Sequence, residues 1–227
     1  MHWLLTSRSI PPSSTRRKAG LPQRGRTFGL LAALAIALVG CSSTAPPRNQ
    51  ENLCSIFQEK KGWHKDALAM EKRWNVPVHV PMAMMYQESS FRHDARPPKK
   101  YLMGVIPWGR VSSAYGYSQA LDGTWGEYKA ATGRTFASRD DFHDAIDFMG
   151  WYIRRTNKIN RVPVTDANAV YLNYHEGWTG YKRRSYMKKK WLVQVARKVG
   201  NRSNTYRAQY HGCKGSLDRG FWGNLLR

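Results

Sequence analysis

From Leu53 onward, apolar residues recur at the spacing of amphipathic helices, and this pattern is the strongest limit on the fold. The clearest stretch runs from about Asp140 to Arg155. One face of it carries the apolar residues Phe142, Ala145, Ile146, Met149 and Ile153. The sequence contains no alternating apolar and polar runs of the kind that a half-buried sheet needs. It therefore predicts a mainly α domain with little or no sheet.

Residues that begin or end helices divide this domain further. Pro81 suits the first turn of a helix, and Asp122 and Asp166 are expected to cap two others. A last helix is expected to end at Gly200-Asn201. The stretch from Pro97 to Tyr115, which contains glycine and proline, is expected to be a loop.

The first forty residues have the pattern of a removable export signal. A basic segment that ends at Arg26 is followed by a twelve-residue apolar run, Phe28 to Val39, which is too short to span a membrane comfortably. The run leads into Leu38-Val39-Gly40-Cys41, which resembles the lipobox of bacterial lipoproteins, where the cysteine becomes the lipidated first residue. We therefore expect a signal peptide over residues 1–40.

Lipidation at Cys41 would attach the protein to a membrane. Ser42 follows the cysteine, whereas an aspartate there is the retention signal known for the inner membrane. The resemblance thus implies the periplasmic face of the outer membrane rather than the inner membrane. The polar, proline-bearing stretch that follows is expected to be a tether, so that residues 41–54 carry the lipid and the linker and residues 55–227 form the domain.

Two cysteines remain, Cys54 and Cys213, near the two ends of the domain. In an oxidising compartment such an even pair suggests a disulfide, although two unrelated buried thiols are the alternative. The seven histidines are scattered, and no group of His and Cys has the spacing of metal ligands. We expect no metal and no other cofactor.

The chain is strongly basic, with a net charge of +22. Six basic residues and no acidic ones lie in the first forty, so the remainder keeps about +16. This balance suits an anionic partner. Because an export signal precedes the domain, a polymer or lipid of the cell envelope is expected and nucleic acid is not. The run from Tyr181 to Trp191, which interleaves aromatic and basic residues, is either such a contact surface or a solvated face.

Glu88 is the strongest candidate for a catalytic acid. It is the only acidic residue between Glu71 and Asp94, and its neighbours from Met84 to Phe91 are mostly apolar or aromatic. Apolar surroundings disfavour a carboxylate and raise its pKa. Cleavage of a glycosidic bond needs a carboxylic acid that stays protonated near neutral pH. Taken alone, the local pattern fits a surface glutamate at a helix end equally well.

Three strings of residues occur in order along the domain. They are Met82-Ala-Met-Met-Tyr-Gln-Glu-Ser-Ser-Phe-Arg-His-Asp-Ala95, Tyr115-Gly-Tyr-Ser-Gln-Ala-Leu-Asp-Gly-Thr-Trp125 and Tyr174-His-Glu-Gly177. In order and separation they resemble the three motifs of the soluble lytic transglycosylase family. The first is a close match, the other two are partial, and the resemblance covers roughly residues 62–190.

The resemblance implies a lysozyme-like α domain that cleaves peptidoglycan glycan strands with one carboxyl group. Glu88 would protonate the glycosidic oxygen between N-acetylmuramic acid and N-acetylglucosamine. It would then accept the proton of the muramic C6 hydroxyl, which attacks the anomeric carbon and leaves a 1,6-anhydro end. Tyr174 would support the protonation state of Glu88. The residues implied to bind substrate are Ser89, Gly116, Tyr117, Ser118, Gln119, Tyr174 and His175.

The sequence departs from the family motifs at several positions. Tyr117 and Ser118 replace Leu-Met, which changes the shape and polarity of the cleft floor, and His175 replaces an asparagine and can titrate near neutral pH. Glu176 adds a carboxylate. It would raise the pKa of Glu88 or position a water if it pointed into the cleft, but we expect it to face solvent.

These departures leave two other functions open: a hydrolytic muramidase on the same fold, and a peptidoglycan-binding lipoprotein that has lost catalysis. Asp94 and Asp122 are alternative second carboxylates, although a loop turn and a helix cap are the expected roles. Trp108, Trp151 and Trp178 either stack on sugars or belong to the core.

Overall fold

The computed structural model describes residues 44–225 except Gly104. The predicted signal peptide and Cys41 lie outside the described residues. The helices are α1 (Leu53–Glu59), α2 (Lys61–Trp74), α3 (His79–Ser89), α4 (Asp122–Thr132), α5 (Phe142–Asn160), α6 (Ala167–Lys182), a 3-10 turn (Ser185–Lys188) and α7 (Lys190–Leu225). A single antiparallel hairpin, β1 (Lys99–Leu102) and β2 (Ile106–Arg110), is the only sheet in the described part of the chain. The mainly α prediction is confirmed.

Helix α5 contributes eleven buried residues to the interior of the domain. Asp141 begins it by accepting a hydrogen bond from the backbone N–H of Asp144, and its predicted apolar stripe is buried. Helix α2 packs along α5 at close range. Gly150 allows this approach, because a Cβ there would lie 2.6 Å from the side chains of Met70 and Trp74.

Helix α1 is held against the far half of α7. A disulfide joins Cys54 to Cys213, with the two Cα atoms 6.1 Å apart. The Gln209 side chain accepts from the backbone N–H of Leu53 at 2.9 Å, and Arg202 forms an ion pair with Glu51 at 2.7 Å.

Part of the segment expected to be a tether therefore belongs to the domain. Pro47 and Leu53 are buried, and the chain from Thr44 to Arg227 forms one compact unit. The domain begins before residue 55, the boundary that the sequence indicated. The buried hydrophobic core extends from Leu53 to Tyr210 and lies within the compact unit that begins at Thr44.

Two of the predicted helix boundaries were wrong. Helix α7 does not end at Gly200-Asn201 but continues to Leu225, because Val199, Tyr206 and Tyr210 are buried on either side of the glycine. A glycine costs a helix about 1 kcal/mol relative to alanine, and packing outweighs that cost. Asp122 is the first residue of α4 rather than its cap, and its carboxylate pairs with Arg139 at 2.7 Å.

Asp166 caps α6 as expected, by accepting from the backbone N–H of Ala169 at 3.0 Å. Among the described residues, no helix is long and apolar enough to cross a membrane.

Candidate active site

Glu88 lies in the last turn of α3, and the way this helix ends determines its position. Ser90 and Phe91 both adopt left-handed backbone conformations, with φ of 51° and 59°. The N–H of Ser90 closes the helix on the carbonyl of Tyr86 at 2.9 Å. Phe91 then turns into the core and is fully buried. The helix end is thus anchored one turn beyond Glu88.

The loop from Tyr115 to Ala120 faces this helix end. Gly116 adopts φ +74° and donates its N–H to the carbonyl of Ala95 at 3.0 Å. Gln119 is also left-handed, and its side-chain Nε2 donates to the carbonyls of Ala95 and Gly116 at 2.8 and 2.9 Å. The Gln119 amide group therefore holds the loop in shape and ties it to the end of the first motif.

Gly116 is the position in this loop where a side chain cannot fit. A Cβ there would lie 2.0 Å from the carbonyl oxygen of Arg139, which also accepts from the N–H of Tyr117. Gly116→Ala is expected to combine left-handed strain of about 1–2 kcal/mol with a backbone clash of about 1–3 kcal/mol. Urea unfolding of both variants would measure the loss, with Gly133→Ala as the matched control. Gly133 has a φ of +71° and open space around it. Equal losses in the two variants would contradict the clash.

Two tyrosines of α6 approach Glu88. Tyr171 donates a hydrogen bond from its hydroxyl to the Glu88 carboxyl group. Tyr174, one turn later, lies near enough to Glu88 to sense its charge, but its hydroxyl donates to the carbonyl of Ser118 at 2.6 Å. The tyrosine that contacts the acid is thus Tyr171, and Tyr174 joins α6 to the loop.

The pKa of Glu88 is raised from its ordinary value to about 7. Burial is the larger cause, because it disfavours the carboxylate. The hydrogen bond from Tyr171 acts in the opposite direction and lowers the pKa. No charged group of the described residues is among the causes of the shift. Glu88 therefore holds its proton close to neutral pH, as an acid catalyst needs.

Three other predicted site residues are buried inside the protein. The Ser89 hydroxyl is buried and donates to the carbonyl of Tyr117 at 2.8 Å, so it braces the loop. The Tyr117 ring does not form a cleft floor; it is buried edge-on to Trp63 and Phe142. Ser118 is fully buried, and within the described residues its Oγ has no hydrogen-bond partner.

Glu176 was expected to face solvent, but its side chain is buried. It is not paired with Glu88. Its side chain is 4% exposed and binds Lys189 at 2.7 Å, together with the Ser185 hydroxyl and His175 Nδ1. Burial raises its pKa, but these three hydrogen bonds outweigh burial and bring the pKa to about 2. Glu176 is therefore an anion that fastens the 3-10 turn and the start of α7 to α6.

His175 lies on the accessible side of this cluster. Its side chain is about one third exposed and meets the Trp191 ring edge-on, with 5.1 Å between centroids. Directly after the cluster, Gly177 leaves the helical conformation at φ 71°, ψ 164°, so that α6 is kinked there.

Gln87, which precedes Glu88 in the chain, lines a groove of about 480 Å³. It lies between α3 and α7, and its lining is mainly polar. The groove is lined by Tyr86, Lys198 and Arg202, among others. The Arg202 guanidinium lies 3.5 Å above the centre of the Tyr86 ring.

The remaining acidic candidates lie apart from Glu88. Asp94 and Asp122 are more than half exposed and pair with Arg92 and Arg139. Over the described part of the chain, no group of His, Cys, Asp and Glu could hold a metal ion. Of the three tryptophans considered for sugar binding, Trp151 belongs to the core, Trp178 packs against it, and Trp108 is exposed on β2.

A helical domain that presents one glutamate with a pKa near neutrality at the end of a buried helix has the organisation of lysozyme-like glycan-cleaving proteins. A family model described as the transglycosylase SLT domain matches residues 29–213. The chain belongs to this family. No curated protein matches the chain.

Proposed function

We propose that the protein is a peptidoglycan lytic transglycosylase that uses Glu88 as its single acid/base catalyst. The observation that carries the proposal is the Glu88 carboxyl group, which is partly buried, hydrogen-bonded to Tyr171 and raised in pKa to about 7. Membership of the transglycosylase SLT family supports the substrate class.

The reaction needs one carboxyl group because the nucleophile belongs to the substrate. Protonated Glu88 gives its proton to the glycosidic oxygen as the bond from the muramic anomeric carbon to that oxygen breaks. The C6 hydroxyl of the same muramic residue then bonds to the anomeric carbon and gives its proton to the Glu88 carboxylate. The acid is restored and no water is consumed. The two-carboxylate glycosidases differ in this respect.

The local geometry suits this sequence of events. Burial favours the protonated acid before the first step, while the Tyr171 hydrogen bond stabilises the carboxylate that exists between the steps. Glu176 is held by Lys189, Ser185 and His175, which makes it a poor base for activating a water. This favours the transglycosylase over the hydrolytic muramidase.

The masses of the released muropeptides test the proposed reaction. Residues 44–227, incubated with purified peptidoglycan, are expected to release fragments lighter by one water than the products of hydrolysis. Fragments with full-mass reducing ends would instead identify a muramidase. Retained binding to peptidoglycan with no release of fragments would indicate a binding protein.

The pH dependence of the reaction tests the role of Tyr171. Activity is expected to fall as pH rises through about 7, since Glu88 then loses its proton. Tyr171→Phe removes the hydrogen bond that lowers this pKa, so the alkaline limb of kcat/KM is expected to move to higher pH. Tyr152→Phe is the matched control, because the Tyr152 hydroxyl is buried and donates to the carbonyl of Asn173 instead. An unchanged limb in Tyr171→Phe contradicts the assignment.

We further propose that the protein acts as a lipoprotein, lipidated at Cys41 and held at the periplasmic face of the outer membrane. The lipobox-like Leu38-Val39-Gly40-Cys41 supports this proposal. Metabolic labelling with a fatty acid, lost in Cys41→Ser, is the expected result.

A further inference from the structure

The hairpin of β1 and β2 exposes the densest group of large apolar side chains in the described part of the chain. Between 52 and 88% of each side chain is accessible at Tyr101, Met103, Val105, Ile106, Trp108 and Val111. Isolated exposed apolar residues are common on protein surfaces, but a contiguous group of this kind marks a contact site.

Both faces of the hairpin carry an apolar side chain that is partly exposed to solvent. In the antiparallel register Tyr101 stands opposite Pro107, while Leu102 stands opposite Ile106 on the other face. Tyr101 and Ile106 are both about half exposed, so both faces are open to solvent. The hairpin thus projects from the domain as an apolar finger.

The charged residues of the hairpin and of the segments beside it are all basic. From Ala95 to Leu121 the sequence contains Arg96, Lys99, Lys100 and Arg110 and no acidic residue. Lys99 and Arg110 stand opposite each other near the base of the hairpin, so these cations lie at the stem, while Met103, Val105 and Ile106 lie at or beside the tip. An apolar tip with cations at its base complements a lipid bilayer, which has anionic headgroups at its surface and hydrocarbon beneath them.

The stem of the finger is fastened to the loop of the candidate active site. Ala95 at its base accepts from the N–H of Gly116 and from the Gln119 side chain. The guanidinium of Arg96 lies 4.0 Å from the centre of the Tyr115 ring. A partner bound to the hairpin is therefore close to the loop that faces Glu88.

We propose that this hairpin docks on an anionic phospholipid bilayer, with its tip among the acyl chains and its lysines and arginines at the headgroups. This contact is separate from any lipid on Cys41. It holds the domain with the Glu88 site near the membrane surface. The proposal does not depend on the reaction that Glu88 performs.

Vesicle sedimentation tests the docking. Residues 44–227 are mixed with phosphatidylcholine vesicles that contain or lack phosphatidylglycerol, and the bound fraction is measured. Binding is expected only to the vesicles with phosphatidylglycerol, and salt should weaken it. Equal binding to both vesicles, or binding to neither, overturns the proposal.

Two paired variants examine the tip and the stem separately. Met103→Ser with Val105→Ser should weaken binding by about tenfold or more, because each apolar side chain that enters the bilayer contributes to binding through the hydrophobic effect. Lys99→Glu with Lys100→Glu should also weaken it by about tenfold or more, since each cation near an anionic surface adds to affinity. Unchanged binding in the serine variant overturns the membrane assignment, because a purely electrostatic surface does not distinguish lipid from other polyanions.

Matched controls distinguish binding by the hairpin from nonspecific binding by other exposed apolar residues and from the effect of net charge. Phe136, between α4 and α5, is 98% exposed, and Phe136→Ser should leave vesicle binding unchanged. Lys61→Glu with Lys72→Glu reverses the same amount of charge on α2 and should have little effect. Losses in these controls equal to those in the hairpin variants overturn the localised contact.

Two further results would assign the finger to another partner. If the serine variant loses binding to peptidoglycan sacculi while vesicle binding is unchanged, the hairpin binds the glycan rather than the membrane. If residues 44–227 dimerise in solution and the serine variant does not, a second copy of the chain covers the finger. Either result overturns the proposal, and neither requires that the protein cleave glycans.

Discussion

Glu88→Gln is expected to lower the rate of glycan cleavage by about 10²–10⁴-fold, the range that a positioned acid/base group contributes. Glutamine keeps the shape of the side chain but can neither give a proton to the glycosidic oxygen nor accept one from the C6 hydroxyl. The rate is measured as release of muropeptides from purified peptidoglycan. Full activity in this variant would exclude Glu88 as the catalyst.

The same substitution is expected to stabilise the folded domain above neutral pH. A folded-state pKa of about 7 lies above the ordinary value of 4.5, so folding is penalised as pH rises between these values. Below pH 4.5 the penalty is absent, and above pH 7 it is complete. The shift corresponds to an increase of about 1–3 kcal/mol in the unfolding free energy of Glu88→Gln at pH 8. Urea unfolding at pH 4 and pH 8 measures this difference.

The pairing of these two results separates catalysis from misfolding. An inactive but more stable variant locates the effect in the chemistry, whereas an inactive and destabilised variant would point to a structural role for Glu88. Glu127→Gln is the control, because Glu127 lies on α4, is about half exposed and pairs with Arg155. It should change neither the rate nor the pH dependence of stability.

Removal of the disulfide is expected to have the largest effect on stability. The bond joins Cys54 to Cys213 across 159 residues. In the chain-entropy account, a loop of this length restricts the unfolded chain by about 5 kcal/mol. Cys54→Ser with Cys213→Ser should therefore lower the urea midpoint strongly.

The site should survive this loss under mild conditions, because the cysteines tie α1 to the far half of α7 whereas Glu88 and Tyr171 lie on α3 and α6. Peptidoglycan cleavage at low temperature and without denaturant is expected to stay near the parent rate. A loss of stability below about 1 kcal/mol would show that the bond adds little beyond the packing that surrounds it.

Helices whose apolar periodicity is strong could be predicted from the sequence. The stripe from Phe142 to Ile153 identified α5, and Asp166 identified the start of α6. The length of α7 could not be predicted, because Gly200 is a local stop signal that only the buried residues beyond it override. The short hairpin was missed because its strands are exposed on both faces and show no alternation.

The candidate site was only partly accessible to sequence reasoning. An isolated acid among apolar neighbours made Glu88 a candidate, and the resemblance of its motif to the transglycosylase family selected it as the predicted acid. The sequence did not predict which tyrosine is the hydrogen-bond partner of Glu88. Tyr171 and Tyr174 are one helical turn apart and chemically alike, so which hydroxyl meets the carboxyl group depends on how α6 packs. The burial of Tyr117 and Glu176 likewise depends on residues far away in the chain.

The surroundings of Glu88 are assembled from distant segments, and this has a consequence for when the protein becomes active. The carboxyl group on α3 acquires its pKa of about 7 only in the folded domain, where burial disfavours the carboxylate. In a chain where these helices have not met, Glu88 is hydrated, its pKa stays near 4.5, and it is ionised at neutral pH. Such a chain holds no proton to give. Under the proposed function, the partly folded protein is therefore inactive toward glycan, and the completion of folding activates it.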